Sequence, residues 1–267
     1  MKIRLDKALV ERGLVQSRER AQALILAGRV LVAEQKVEKP GTAIADDAAL
    51  RVIGEDMRYV SRGGFKLERA LEYWGISLEG RACVDVGAST GGFTDCMLQH
   101  GAVSVLAVDT GYGQIAHSLR VDARVRLMER CNARLLKAGE LVSQGTGNRE
   151  QGTGIREQGT GNLISFLAMD VSFISATLVL PAVLRALVTE GEVWRGEAVV
   201  LIKPQFEAGR EHVGKGGIVR EQAGQDIAIA RVKECVAELG GAEIEVIDSP
   251  ITGMEGNREY LLHAQFG

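Results

Sequence analysis

Cys83-Val84-Asp85-Val86-Gly87-Ala88-Ser89-Thr90-Gly91-Gly92-Phe93-Thr94-Asp95 is the stretch whose reading decides the fold. A short β-branched run ends on an acid, enters a glycine-rich turn and opens a helix. Glycine lets the backbone turn tightly and approach a ligand where a Cβ would stand in the way. The spacing, Gly87 then Gly91 and Gly92, departs from the dinucleotide fingerprint, which places a glycine where Ser89 stands. Further on, Val103-Ser104-Val105-Leu106-Ala107-Val108 ends at Asp109. An acid at the end of the second strand is placed to accept both hydroxyls of a ribose. A nucleoside bound without pyrophosphate points to S-adenosylmethionine, with Asp85, Gly87, Ser89, Gly91, Gly92, Phe93 and Asp109 as the expected cofactor-binding residues. The competing reading is an ordinary strand–turn–helix connection that binds nothing.

Strands are expected at Ala82–Val86, Val103–Val108, Val125–Met128, Leu163–Met169, Ala198–Ile202, Ala242–Ile247 and Tyr260–Ala264, with helical segments between most of them. A helix from Lys66 to Trp74 leads into the first. Such alternation predicts a mainly parallel sheet covered on both faces, with ligands beyond the carboxyl ends of its strands. Four ionisable residues stand where those ends deliver them to one rim: Lys66, Asp170, Lys203 and Glu259. Glu259 precedes the last strand, so it reaches that rim only if this strand runs antiparallel. Each residue alone has a dull explanation, since a strand-end lysine is usually solvated and an aspartate there often caps a helix. Together they make chemical sense. A ribose hydroxyl must lose its proton to attack a methyl group, and a lysine accepts it where burial and a second ammonium favour the neutral amine. The two carboxylates hold the lysines in place, and no metal is needed.

The 267 residues suffice for one large and one small domain, and 46% apolar with 25% charged residues describes an ordinary globular chain. The net charge of −3 argues against a protein that coats nucleic acid over its whole surface. Residues 1–30 nevertheless hold Lys2, Arg4, Lys7, Arg12, Arg18, Arg20 and Arg29 against Asp6, Glu11 and Glu19, an excess of +4. That asymmetry points to an anionic partner at this end, against the plainer reading of a solvated helix face. Leu5, Ala8 and Leu9 share one helical face closed by Gly13, and Ser17 caps a second helix that stops at Gly28. Short strands are expected at Val30-Leu31-Val32, Lys36-Val37 and Leu50-Arg51-Val52-Ile53, with a hairpin turn at Glu34-Gln35. Domain bounds follow: 1–53, a linker at 54–64, and 65–267. The last contains a near-repeat of Gln-Gly-Thr-Gly-Asn-Arg-Glu at 144–162 that lacks apolar residues for a core and reads as a surface loop.

Arg4-Leu5-Asp6-Lys7-Ala8-Leu9, Ser17-Arg18-Glu19-Arg20-Ala21 and Ile25-Leu26-Ala27-Gly28-Arg29-Val30-Leu31-Val32 resemble the alpha-L RNA-binding domain named after ribosomal small-subunit protein four. That resemblance implies RNA contacts from Arg4, Lys7, Arg18, Arg20 and Arg29. Lys66, Asp170, Lys203 and Glu259 match the Lys-Asp-Lys-Glu tetrad of the FtsJ-like ribose methyltransferases, whose Asp-x-Gly-x-x-x-Gly-Gly motif binds S-adenosylmethionine. Tyr59-Val60-Ser61-Arg62-Gly63-Gly64, Asp170-Val171-Ser172-Phe173-Ile174-Ser175, Lys203-Pro204-Gln205-Phe206-Glu207, Gly214-Lys215-Gly216-Gly217-Ile218-Val219 and Ser249-Pro250-Ile251-Thr252-Gly253 extend the likeness almost end to end to the TlyA family. The resemblance implies an α/β fold: a Rossmann-like S-adenosylmethionine-dependent methyltransferase sheet, mostly parallel with its last strand antiparallel, behind a small α+β RNA-binding domain. It further implies 2′-O-methylation of a cytidine in ribosomal RNA of the small or large subunit, with Lys203 nearest the hydroxyl proton and Lys66 tuning it.

Two rival readings stand beside this one. An RNA-binding or ribosome-assembly factor without turnover would not need the tetrad. Relatives of this family have also been labelled haemolysins, yet the chain shows no basic amphipathic helix with a broad apolar face, and Phe173–Val188 is interrupted by Pro181 and Arg185. Met1-Lys2-Ile3-Arg4-Leu5-Asp6-Lys7 lacks the apolar core of a signal peptide. Cys83, Cys96, Cys131 and Cys235 are scattered without a zinc-like pairing, which suits a reduced cytoplasm.

Overall fold

The computed structural model describes residues 2–15, 17–53, 58–142, 163–253 and 256–267. The repeat at 144–162 and the linker residues 54–57 lie outside the described residues. The chain divides into two compact units, Met1–Arg58 and Tyr59–Gly267. Residues 59–64, read as linker, therefore belong to the second unit, and the helix expected from Lys66 starts there at Gly63.

In the first unit, strand β1 (Lys2–Arg4) leads into helix α1 (Leu5–Glu11), followed by α2 (Arg18–Leu26). Leu5, Ala8, Leu9, Ala21, Leu24 and Ile25 of the two helices are buried in one cluster, joined by Val15 from the connection between them. The Ser17 hydroxyl accepts from Arg20 N at 3.2 Å, satisfying one of the orphan amides at the start of α2. Strands β2 (Val30–Val32), β3 (Gln35–Lys36) and β5 (Leu50–Val52) form an antiparallel sheet ordered β3-β2-β5, and β4 (Ala43–Ala45) pairs with β1. Val32 pairs with Gln35, so the hairpin turn is Ala33-Glu34, one residue earlier than expected. Both turn residues have positive φ, 49° and 64°, the geometry that matches the twist of paired strands and that Asn-Gly adopts without strain. Arg51 on the neighbouring strand donates to Glu34 at 3.0 Å and holds the turn from the side.

The second unit is built on a seven-stranded sheet ordered β11-β12-β10-β9-β6-β7-β8. Its strands are β6 (Ala82–Val86), β7 (Ser104–Val108), β8 (Val125–Met128), β9 (Ile164–Met169), β10 (Gly196–Ile202), β11 (Gly241–Asp248) and β12 (Tyr260–Phe266). Strands β6 to β10 pair in parallel where they adjoin, and β12 runs antiparallel between β10 and β11. Side chains alternate between two cores. Val84, Val86, Leu167, Met169, Val200 and Ile202 face one, with Val179, Val183 and Val232 from the covering helices. Cys83, Val105, Phe166, Ala168, Val199 and Leu201 face the other, with Leu67, Leu71 and Met97. Burial on both faces is why these strands read as continuous apolar runs. Chain order reverses between β6 and β9, which opens a crevice at their carboxyl ends.

The apolar stretch around Pro181 forms an uninterrupted helix, Ala176–Ala186. Proline removes the amide that would bond the carbonyl four residues back. That carbonyl, on Thr177, instead accepts from the Cys235 thiol at 3.8 Å. Among the described residues, no helix is long and apolar enough to cross a membrane.

Beneath the glycine turn, Asp85 is fully buried with its Oδ2 accepting from Thr94 Oγ1 at 2.6 Å. Burial, added to by the Asp170 and Asp109 carboxylates and opposed by the Thr94 hydroxyl, pushes its carboxyl up to about 7. A carboxyl raised on folding binds its proton more tightly in the folded state. The stability it lends is complete below the unfolded value and is lost as pH rises through about 7. The urea midpoint of the unaltered chain should therefore fall between pH 5 and pH 8 by more than that of Asp85→Asn; equal falls would refute the assignment. Separately, Ala33→Asn should stabilise the first unit by about 0.5–1 kcal/mol, because asparagine tolerates the left-handed region, as native-state hydrogen exchange of β2 and β3 would register.

Candidate functional site

Gly87, Ser89 and Gly91 have φ of 87°, 50° and 95°, so three left-handed residues fold the chain from β6 into helix α4 (Gly92–Gln99). At two positions a side chain is impossible. A Cβ on Gly87 would lie 2.4 Å from the Asp170 carbonyl, and one on Gly92 would lie 2.3 Å from Ser61 Oγ. The turn is thus pinned between the end of β9 and the segment entering α3 (Gly63–Trp74). Gly91 has no side chain with which to cap α4; in its first turn the Thr94 amide is taken by the Asp85 carboxylate and the Asp95 amide by the Gly91 carbonyl at 2.8 Å.

Opposite the turn, four charges of alternating sign stand in line. Lys66 Nζ lies 2.6 Å from Glu259 Oε2 and 3.8 Å from Asp170 Oδ2. Lys203 Nζ lies 2.6 Å from Asp170 Oδ1 and donates to Ser172 Oγ at 2.6 Å. Glu259 and Lys203 are buried, while Asp170 is one-fifth exposed toward the cavity. Sheet register explains the convergence. Val86 pairs with Met169, which sets Gly87 beside Asp170; Ile202 pairs with Tyr260, which sets Lys203 beside Glu259. All four sequence-predicted residues meet, as do Gly87, Ser89, Gly92 and Phe93, around one cavity of about 530 Å³.

Ser172 and Phe173 are among the cavity residues given no role in the sequence reading. Ser172 was quoted only as part of a matching run, and its contact with Lys203 has no periodic signal. Phe173 is 93% exposed with φ of 64°, its ring 5.7 Å from that of Phe206. An apolar side chain so exposed, on a backbone so strained, is a marker of function that burial patterns in sequence do not reveal.

Three of the expected cofactor residues sit elsewhere. Asp85 does not line the cavity: it is sealed below the turn and ties β6 to α4 through Thr94. Gly91 also lies away from it, packed so that a Cβ would fall 2.3 Å from Leu119 Cδ1. Asp109 lines a smaller adjoining cleft with Gly111, Gln114, Leu127 and Glu129, and Ala88 and Ser89 border both spaces. Its carboxylate accepts from Ser89 N at 2.8 Å and Gly111 N at 2.6 Å. A cavity of this size along a glycine turn, with a carboxylate in the adjoining cleft, fits S-adenosylmethionine.

The basic residues of the first unit divide into two groups. Asp6, fully buried, accepts from Arg4 Nη2 at 2.8 Å, Arg18 Nε at 3.1 Å and Gln22 Nε2 at 3.0 Å. The Arg4 guanidinium holds its carboxyl well below the usual carboxylate range against the opposing effect of burial, with help from Gln22 and Arg18. Arg4 and Arg18 thus share one anchor, with Arg20 on the same first turn of α2. Lys7 pairs with Glu11 on the surface at 3.2 Å, and Arg29 stands past the far end of α2.

Residues 59–266 match the FtsJ-like methyltransferase family and residues 3–47 the S4 domain. YqxC of Bacillus subtilis, named as a candidate rRNA methyltransferase, is 45% identical over 262 residues, covering 98% of this chain and 85% of that one. The 16S/23S rRNA (cytidine-2′-O)-methyltransferase TlyA of Mycobacterium tuberculosis is 41% identical over 260 residues, covering 97% and 88%. A solved structure from Streptococcus thermophilus, described as a candidate hemolysin, superposes with a TM-score of 0.69 at 40% identity, covering 99% and 88%. With an S4 domain ahead of a tetrad-bearing sheet, and likeness running almost end to end, the chain belongs to the FtsJ-like methyltransferases, in the TlyA/hemolysin-like group of rRNA methyltransferases.

Proposed function

We propose that the protein methylates the 2′-hydroxyl of a ribose in ribosomal RNA, a cytidine by likeness to its relatives, with S-adenosylmethionine as methyl donor. The observation that carries this reading is the line Glu259–Lys66–Asp170–Lys203 beside the glycine turn. A ribose hydroxyl is a very weak acid, so a base within reach and a fixed line of attack are what the reaction needs. The bound cofactor supplies a methyl group made electrophilic by a positively charged sulfur. Gly87, Ser89, Gly92 and Phe93 would hold it along the turn, with Asp109 beyond them at the ribose.

Lys203, as the neutral amine, takes the hydroxyl proton at Nζ. Asp170 fixes that nitrogen through Oδ1, and its other oxygen faces Lys66, which Glu259 holds in turn. With both lysines protonated the four residues sum to zero charge, which lets them stand in a partly closed cavity without counter-ions. Phe173 and Phe206 offer an aromatic face beside Lys203 on which the base of an unpaired nucleotide can stack. The first unit holds RNA through phosphate contacts from Arg4, Arg18 and Arg20. A ribosomal substrate places this work in the cytoplasm.

Lys203→Ala should lower methyl transfer to RNA by about 10²–10⁴-fold while cofactor affinity, read by calorimetry, stays nearly unchanged. Loss of cofactor affinity instead would mean that Lys203 belongs to the cofactor's own binding set. Arg18→Ala with Arg20→Ala should weaken RNA binding and make the slope of log affinity against log salt shallower by about one to two. An unchanged slope would move the RNA face away from α2.

A further inference from the structure

The Lys203 nitrogen, buried at the end of β10, has its own Cε and three further tetrahedral directions. Ser172 Oγ at 2.6 Å accepts a hydrogen bond along one of them, whereas Asp170 Oδ1, also at 2.6 Å, attracts the nitrogen as an ion-pair partner from outside hydrogen-bonding geometry. Charge fixes the distance, and the Ser172 hydroxyl sets the direction. We infer that Ser172 is a positioning residue for methyl transfer: its hydroxyl orients the Lys203 amino group, which Asp170 holds in place by charge, so that a free direction of the nitrogen faces the substrate hydroxyl. This rests on the ribose-methyltransferase reading of the same cavity.

The placement of Ser172 is built into the fold. The loop from Asp170 to Ser175 joins β9 to the helix Ala176–Ala186, and it is fastened at both ends to the element that carries Lys203. At its near end it meets Lys203 itself. At its far end, Glu207 accepts from Ser175 Oγ at 2.5 Å and from Ala176 N at 2.7 Å. Glu207 closes the short helix Pro204–Glu207 that begins immediately after Lys203. Between these fastenings Phe173 takes its left-handed turn, which sends its ring outward while Ser172 stays on the lysine.

With Ser172 gone, Asp170 alone would restrain a long side chain, and the amine could pivot about that single contact. A displacement of an ångström or so at a reacting atom costs up to about a hundredfold in rate. The test uses the full chain, unmethylated ribosomal subunits and radiolabelled S-adenosylmethionine. Ser172→Ala should lower kcat about tenfold or more, leaving KM for both substrates close to that of the unaltered chain. Ser172→Thr, which keeps a hydroxyl at the same branch point, should recover most of that loss. Equal kcat in Ser172→Ala, a loss confined to KM, or a threonine variant no better than alanine would each overturn the proposal. Absence of any RNA methylation by the unaltered chain would overturn the activity itself, and this role with it.

Discussion

Four charges gathered at the edge of a cavity set the terms for the rest of the second unit. Taking an ion out of water costs several kcal/mol even after the surroundings relax, and a buried charge that loses its partner is strongly destabilising. Glu259, Lys66, Asp170 and Lys203 can stand together only because signs alternate along the line, so that each inner member faces two opposite charges. That arrangement needs four separate elements to deliver their residues to one rim. Parallel strands do so for Asp170 and Lys203, which follow β9 and β10. Glu259 precedes its strand, so the reversed direction of β12 is what brings it to the same rim.

The glycine turn obeys the same constraint. Because Val86 and Met169 are paired neighbours, the turn after β6 presses on the backbone of Asp170, and a side chain on Gly87 would push the two apart. Glycine turn and charge line are therefore one structure with a shared contact. Asp85 supports it from below. Its carboxyl is raised by burial, and it spends one oxygen on Thr94, holding the first turn of α4 against β6. An acid whose type suggests ligand contact here serves as a strut.

How much of this could be read from sequence depends on the kind of force involved. Continuous apolar runs gave the strands, since burial on both faces leaves that imprint, and the charged residues at their ends followed from the rule that parallel sheets bind ligands there. Single-residue registers were less legible. The Ala33-Glu34 turn was displaced by one position because neither residue has the left-handed preference by which such turns announce themselves. The pairing of β1 with β4 joins segments far apart in sequence, each too short to show an alternation. Ser172 and Phe173 gave no signal of their own, because one hydrogen bond and one outward-turned ring depend on a loop conformation that Glu207 imposes from another element.

The first unit shows what a charge count leaves out. An excess of positive residues describes a diffuse field, yet Arg4 and Arg18 converge on the buried Asp6 carboxylate and are about half exposed, 51% and 53%. Pairing with Asp6 lowers the net charge they present but fixes where they present it. An untethered arginine loses much of its rotamer freedom on binding a phosphate, whereas one already held at its Nε or Nη2 has less to lose. Asp6 therefore trades long-range attraction for short-range geometry. For the phosphate contacts proposed at these two arginines, that exchange favours a fixed arrangement of phosphates over any polyanion.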